Sequence, residues 1–369
     1  MTQKTVSGVV HDAERRRIVK TTFDYASRSE ALLTSTIVQL LTAIQEAKGR
    51  QDVRADIRPD VLSSLVDAAR IQSTDASNRI EGISTSDKRL ASLVRNKVTP
   101  HNRDEEEIAG YRDVLAVIHD NHDYIPITPN VILQLHRDLF RHTPLTFGGH
   151  FKDGDNIIVE RNTTGHQQTR FIPPSALITP ELMERACDSY NEAINDKRAN
   201  PMLVLCMFVF DFTCIHPFND GNGRMSRLLT LLTLYRNGYE VGKYVSLEHL
   251  IERSKSTYYE ALASSTIGWN DDANDYEPFV KYMLGVVLTA YKELDERFEG
   301  LSGAGRPTKE QRIRMLIEGT LTPMSKAEVV ERLSDVSVST VERVLKRLLD
   351  DGEIIKIGAG RSTRYIMRR

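Results

Sequence analysis

Twelve consecutive residues hold the densest chemistry in the chain: His216, Pro217, Phe218, Asn219, Asp220, Gly221, Asn222, Gly223, Arg224, Met225, Ser226 and Arg227. A histidine changes charge near neutral pH and can act as a general base. Asp220 offers a hard carboxylate oxygen, the kind that Mg2+ takes together with phosphate oxygens. Gly221 and Gly223 allow a tight turn and close approach of the backbone. If a helix starts there, its open N–H groups and the positive end of its dipole form a nest for anions. Arg224 and Arg227, three residues apart, share a helix face and can fork onto phosphate oxygens. Asn222 can donate to an oxygen that gains charge during reaction. A plain helix-capping loop would use glycine and asparagine but has no need of the histidine, the acid and both arginines.

The elements that must hold this stretch are helical. The apolar run from Met202 to Ile215 leads into it and reads as a buried helix. It is shorter than the roughly 20 residues a membrane span needs and contains Asp211. A second helix is expected over 223–236, stopped by Asn237 and Gly238. Helical spacing also marks 20–100, through Ile37, Leu40, Leu41, Ile44, Leu62 and Leu65, with Gly82 as a stop, then 108–118, 131–139, 180–197 and 246–295. Residues 147–172 are the exception: Gly148, Gly149, Gly154 and Gly165 punctuate short β-rich runs and predict an irregular hairpin. Residues 301–307 have linker composition. Beyond them come a helix over 308–318, a capping box at Ser325 and Glu328, a third helix starting near Ser337 and strands over 354–357 and 363–367, the order of a winged helix-turn-helix.

The stretch from His216 to Arg227 resembles the signature of the Fic (Fic/Doc) family, His-Pro-Phe-x-Asp/Glu-Gly-Asn-Gly-Arg-x-x-Arg, and every fixed position is present. The likeness extends to Leu135–Leu139, Phe171–Pro174 and Lys255–Tyr259, and covers about 100–298. It implies an all-helical catalytic core with a small hairpin flap (101–298); with the helical N-terminal domain (1–100), linker (299–306) and winged-helix domain (307–369) read from spacing and composition, the chain is expected to be mainly α. It further implies a protein adenylyltransferase that moves AMP from ATP to a Ser, Thr or Tyr hydroxyl of a target protein or of itself. His216 would be the base, Asp220 the Mg2+ ligand, and Gly221, Asn222, Gly223, Arg224 and Arg227 the ATP site. Strand addition of the target to the hairpin is a further implication. The family often has an arginine where this chain has Lys152.

Upstream, Ser77 to Gly82 matches the family's inhibitory pattern Ser/Thr-x-x-x-Glu-Gly/Asn. Ser77 and Glu81 lie four apart on one helix face. The resemblance implies that Glu81 pairs with Arg227 and keeps ATP out of its productive pose. In some relatives the same glutamate supports AMP removal, which leaves a reverse activity open.

Composition narrows the partners. The formal charge is −2, but it is unevenly spread: 303–369 carry 14 basic and 9 acidic residues, so the rest of the chain is net −7. Only the C-terminal segment has the sign that DNA requires, with Arg343, Lys346 and Arg347 on the expected recognition helix. DNA is therefore a candidate partner, and a nucleotide-sensing DNA-binding regulator is the competing reading. Homodimerisation and another nucleotide donor stay open. Three cysteines make no disulfide framework, and no apolar leader follows Met1, so the sequence predicts a cytoplasmic protein with no membrane contact. His119 and His122 beside Asp120 and Asp123 lack a third ligand at metal spacing and read as a polar helix end.

Overall fold

The computed structural model describes residues 20, 22–57, 59–95, 97–161, 167–196, 198–302, 308–318, 320, 322–333, 336–358, 360 and 363–368. The fold is mainly α, as expected. In chain order the first helices are α1 (Tyr25–Ala31), α2 (Ser35–Ile57), α3 (Pro59–Ile80), α4 (Asp87–Val94), α5 (Arg103–Asn121) and α6 (Pro129–Leu139). The antiparallel strands β1 (Ile158–Arg161) and β2 (Gln167–Phe171) follow, then α7 (Thr179–Asn195), α8 (Pro201–Ile215), α9 (Asn222–Arg236), α10 (Leu247–Arg253), α11 (Lys255–Thr266) and α12 (Glu277–Ser302). The last group is α13 (Lys309–Glu318), β3 (Met324–Ser325), α14 (Lys326–Arg332), α15 (Val338–Asp350), β4 (Ile354–Ile357) and β5 (Arg364–Met367), with strand order β3-β5-β4.

Helix α8 is apolar on every side, so it can be stable only when surrounded, and α1, α7, α9 and α12 pack round it. Asn200 caps its start by accepting the Met202 N–H, with Pro201 in the first turn, where a missing N–H does no harm. Its one charge, Asp211, is fully buried and fully answered: Trp269 Nε1 and the Tyr276 hydroxyl donate to it at 2.6 and 2.8 Å, and Lys20 Nζ lies 3.6 Å away. Helix α9 is almost as deeply buried. The chemistry-bearing loop is therefore the link between the two most enclosed helices of the fold.

Two expectations change in extent. Paired strands occupy only 158–161 and 167–171 of the expected hairpin, with an irregularity between Ile158 and Val159. Lys152 and Asn156, in the preceding segment, are held instead by polar contacts to the loop. The expected linker start at 299 is helical, because α12 runs on to Ser302. A helical glycine such as Gly300 costs only about 1 kcal/mol, and earlier turns of α12 are anchored on α2. Residues 303–307, the hairpin tip at 162–166, and Arg306, Arg361 and Arg369 lie outside the described residues. The C-terminal elements have their own apolar core, centred on Ile313, Val329, Val341, Leu345 and Ile354.

Helices α5 and α6 cross so closely at Gly110 that an added Cβ would overlap the Leu139 carbonyl. Leu139 and Phe140 in turn press on Gly221. Gly110→Ala is expected to lower unfolding free energy by about 3 kcal/mol through overpacking, read from the midpoint of urea denaturation; an unchanged midpoint would contradict this packing.

Candidate functional site

The loop between α8 and α9 is shaped by two left-handed residues. His216 ends α8 at φ 50° with its N–H on the Phe212 carbonyl, and Gly221 precedes α9 at φ 79°. A histidine in that conformation is uncommon and must be held by its surroundings. The ties are numerous. Lys152 donates from Nζ to the Ile215 carbonyl at 3.1 Å and from its backbone to the Pro217 carbonyl at 2.8 Å. Asn156 Nδ2 lies 3.4 and 3.3 Å from the His216 and Phe218 carbonyls. On the far side His136 stacks on Phe218 with ring centroids 3.7 Å apart. Its Nδ1 accepts the Gly149 N–H, so the neutral ring carries its proton on Nε2 and donates to the Asp220 carbonyl at 3.0 Å. Burial holds this histidine down to about 4, which keeps that tautomer in place.

The half-buried His216 ring is likewise neutral at ordinary pH. Desolvation is the main cause and the nearby Lys152 charge adds to it, bringing the pKa to about 4, against the pull of a hydrogen bond to the Thr213 carbonyl. In the neutral ring one nitrogen carries the proton and the other is free to accept one. Lys152 is itself lowered to about 8 by burial.

The first N–H groups of α9, those of Asn222, Gly223 and Arg224, precede the first intrahelical bond, from Met225 N–H to the Gly221 carbonyl, and form the open N-terminus of the helix. Asp220, half-exposed, accepts the Gly221 N–H at 2.7 Å through Oδ1; its other oxygen is 3.9 Å from Arg103. That carboxylate has the exposure and hardness to hold a divalent cation jointly with phosphates. Among the described residues no cluster of three or more His, Cys, Asp or Glu side chains could hold a metal on its own.

Three expected roles take a different physical form. Asn222 turns its side chain back on the loop, accepting the Phe218 N–H at 2.9 Å and donating to the Phe218 carbonyl at 2.8 Å, so its offer to an anion is its backbone N–H. Gly223 is helical and makes no turn. Its missing Cβ leaves the space that the Glu81 carboxylate fills. Arg224 does not share a partner with Arg227: its Nη2 is 2.7 Å from Glu107 on α5, and its guanidinium lies over the Phe140 ring at 5.0 Å.

Arg227 is buried and meets the end of α3. Its Nη2 donates to Glu81 Oε1 at 2.8 Å and to the Ser77 carbonyl at 2.9 Å, and its Nε donates to the Ser77 hydroxyl at 2.8 Å. Burial disfavours the Glu81 charge, but Arg227, with Arg224 and Lys255 behind it, more than offsets this and holds the carboxyl below its usual range. Lys255 also donates to the Ile80 carbonyl, fastening the last turn of α3.

The structure thus brings His216, Asp220, Gly221, Asn222, Gly223, Arg224, Arg227, Ser77 and Glu81 into one site. Sequence reasoning overlooked Glu107 and Asn156 and gave Lys152 no task. Glu107 sits in the acidic run 104–107 that opens α5, where acids are ordinary helix-start residues. His119 is buried, bonded to Tyr235 and Arg70, and brought to about 3 by burial, a packed structural residue.

Residues 126–234 match the family model described as Fic/DOC family. The protein adenylyltransferase Fic of Aedes aegypti is 26% identical over 277 residues, 70% of this chain and 50% of that protein. The enzyme of the same name from Drosophila melanogaster is 30% identical over 159 residues, 43% and 28% of the two chains. The chain spans about half the length of the curated relatives it matches over the longest stretches. Among solved structures, a Fic family protein from Desulfovibrio desulfuricans G20 superposes with a TM-score of 0.60 at 24% identity, covering 91% of this chain and 97% of that one. Fic-1 (residues 134–508) from C. elegans gives 0.55 at 18% identity, covering 75% and 77%. These two show a shared fold.

The Lys152 charge beside His216 yields a titration test. In an NMR titration the His216 ring should protonate with a midpoint of about 4, and Lys152→Met should move that midpoint upward. A midpoint near the unperturbed value of about 6.5 in the parent protein would refute the buried, neutral base.

Proposed function

We propose that this chain is a protein adenylyltransferase of the Fic type, transferring AMP from ATP to a Ser, Thr or Tyr hydroxyl of a target protein or of itself, with Glu81 as its internal brake. The observation that carries this reading is the pairing of a neutral His216 with the helix N-terminus and arginines six to eleven residues further on. The match of 126–234 to the Fic/DOC family and the names of the relatives support it.

In this reading His216 takes the proton of the target hydroxyl as its oxygen attacks the α-phosphorus of ATP. The bond from that phosphorus to the bridging oxygen breaks, and pyrophosphate leaves. The N–H groups of Asn222, Gly223 and Arg224 receive phosphate oxygens at the positive end of α9. Arg227 takes the terminal phosphate once Glu81 has left it. A magnesium ion on Asp220 would neutralise part of the phosphate charge. In the same reading Glu81 would support hydrolytic removal of AMP from the modified hydroxyl, a second activity for this site. Cytoplasmic residence belongs to the same proposal; no helix among the described residues is long and apolar enough to cross a membrane.

The C-terminal unit we read as a winged helix-turn-helix, in which α15 would be the recognition helix and β4–β5 the wing. Arg343 and Lys346 are exposed on α15 and make no ion pair among the described residues, which favours DNA as a second partner. Arg347 and Lys326, by contrast, are tied to Glu310 and Glu342, so the accessible positive charge is smaller than the sequence suggests. The full chain should retard duplex DNA in a salt-dependent manner, and Arg343→Ala with Lys346→Ala should abolish the shift; retardation that ignores both changes would exclude α15 as the contact.

Glu81→Gly should raise AMP incorporation from ATP and Mg2+ by about 10- to 150-fold, the equivalent of losing a charged hydrogen bond of about 1.5–3 kcal/mol. His216→Ala in that background should reduce it by about 10²–10⁴-fold. Intact-mass spectrometry of the protein and of added lysate reads both; a Glu81→Gly protein that modifies neither itself nor lysate would falsify the proposal.

A further inference from the structure

Each arginine of the α9 start is met by a carboxylate, and the two carboxylates are of different kinds. Glu81 lies in the turn beyond α3, and its side chain is 34% exposed. Glu107 lies within α5 and is 4% exposed. One oxygen of Glu107 is 2.7 Å from Arg224 Nη2, and the other accepts from Arg103 Nε at 2.8 Å. Glu107 therefore answers two guanidinium groups at once and has no solvent to move into.

Arg224 is the more confined partner. It is 1% exposed, its guanidinium lies over the Phe140 ring, and Nη2 is fixed by Glu107. Its Nε and Nη1 are buried with no hydrogen-bond partner. Buried guanidinium donors are normally satisfied, and leaving one open costs more than a neutral group would. Here two are left open on a cation whose third nitrogen is clamped, at the first turn of a helix whose own N–H groups are also open. An anionic oxygen ligand satisfies all of these donors together.

We propose that Glu107 is a positioning residue for nucleotide binding: by clamping Nη2 it holds Arg224 with Nε and Nη1 facing the phosphates, and Arg103 keeps the clamp in charge balance. The proposal rests on the reading of this site as a nucleotide-phosphate site. It differs from a merely structural ion pair between α5 and α9, because it acts through Arg224 on the ligand. It also gives Glu107 the opposite task from Glu81: a carboxylate that stays when phosphate arrives, where Glu81 must leave. Arg103 extends the arrangement, since its other end is 3.9 Å from the Asp220 carboxylate. Four charges of alternating sign thus run from the buried Arg224 to the half-exposed Asp220.

The test uses full-length protein carrying Glu81→Gly, so that Arg227 is free, and measures Kd for ATP and for inorganic tripolyphosphate by calorimetry, with melting temperatures alongside. Glu107→Gln keeps the shape and an acceptor oxygen but removes the charge. It should raise Kd for both ligands about tenfold, the difference between a charged and a neutral hydrogen bond. In an Arg224→Ala background the same change should alter Kd less than about twofold, because its effect runs through the missing side chain. An unchanged Kd in the folded Glu107→Gln protein, or a full effect persisting without Arg224, overturns the proposal. Should Glu107→Gln fail to fold, Glu107→Asp keeps the charge but retracts it, and is expected to weaken both ligands similarly; unaltered affinity there overturns it equally. A Glu81→Gly parent that binds ATP yet transfers no AMP removes the transfer reading and leaves the role of Glu107 standing. A parent that binds neither ligand overturns both.

Discussion

The guanidinium of Arg227 occupies a nearly waterless position one turn into α9, where an unanswered charge would destabilise the fold by several kcal/mol. The end of α3 and the residue after it answer it, through the Ser77 hydroxyl, the Ser77 carbonyl and the Glu81 carboxylate. That requirement organises much of the surrounding polar structure. Lys255 secures the Ile80 carbonyl. Ser73 donates to Ser246, Ser246 donates to the buried Glu248, and Glu248 accepts from Tyr111, so α3, α10 and α5 are joined by bonds that continue toward Ser77. The body of α3 is thereby committed to the fold, and the tie to Ile80 extends this to its last turn. Glu81 lies just past Ile80, beside Gly82 at φ 82°, so in the proposed reading the brake is released by a side-chain and turn movement and leaves the helix in place.

The loop between α8 and α9 has the opposite character. Lys152, Asn156, His136 and Asn222 together bond the carbonyls of residues 215, 216, 217, 218 and 220, so almost every peptide of the loop is fixed from outside or from within. Such fixing is what allows His216 to keep a left-handed conformation. Burial and a neighbouring lysine keep the ring neutral, against the pull of the Thr213 carbonyl and of the Glu81 and Asp220 charges. A base poised this way is weakly basic. Its usefulness depends on geometry and on charge developing nearby more than on driving force.

How much of this was legible in the sequence varies with the kind of physical signal. Helices α8 and α9 were readable almost to the residue, because an apolar run, Pro201, Gly221 and Asn237 each carry a local signature. The stretch from His216 to Arg227 was readable because its residue types are improbable together. The tasks of Lys152, Asn156 and Glu107 were not readable, since each acts across a long sequence separation. Glu107 sits among four acids at a helix start, and nothing local distinguishes the one that turns inward. Gly223 was assigned a turn, but its reason for being glycine is a carboxylate 142 positions earlier in the chain. The hairpin was overextended because glycine punctuation marks where a chain cannot be regular and says little about where strands pair.

At the start of α9 Arg103, Arg224 and Arg227 are set against Glu81, Glu107 and Asp220, with Lys152 and Lys255 close by. A chain whose first 302 residues are net −7 has no long-range field to draw in a polyphosphate, so attraction must be generated locally, within a few ångströms of the site. Glu107 cannot supply it by leaving, since it is buried between two arginines, and in the proposed reading Asp220 stays where it stands to hold a cation. Glu81 is the carboxylate that can withdraw, being the most exposed member of a pair whose partner is almost fully enclosed. Its withdrawal uncovers one full positive charge and, because Gly223 has no side chain, an empty volume against the helix N-terminus. In the proposed reading, inhibition and substrate binding are therefore one exchange at Arg227, carboxylate for phosphate, and the free-energy difference between the two anions sets how firmly the enzyme is held off.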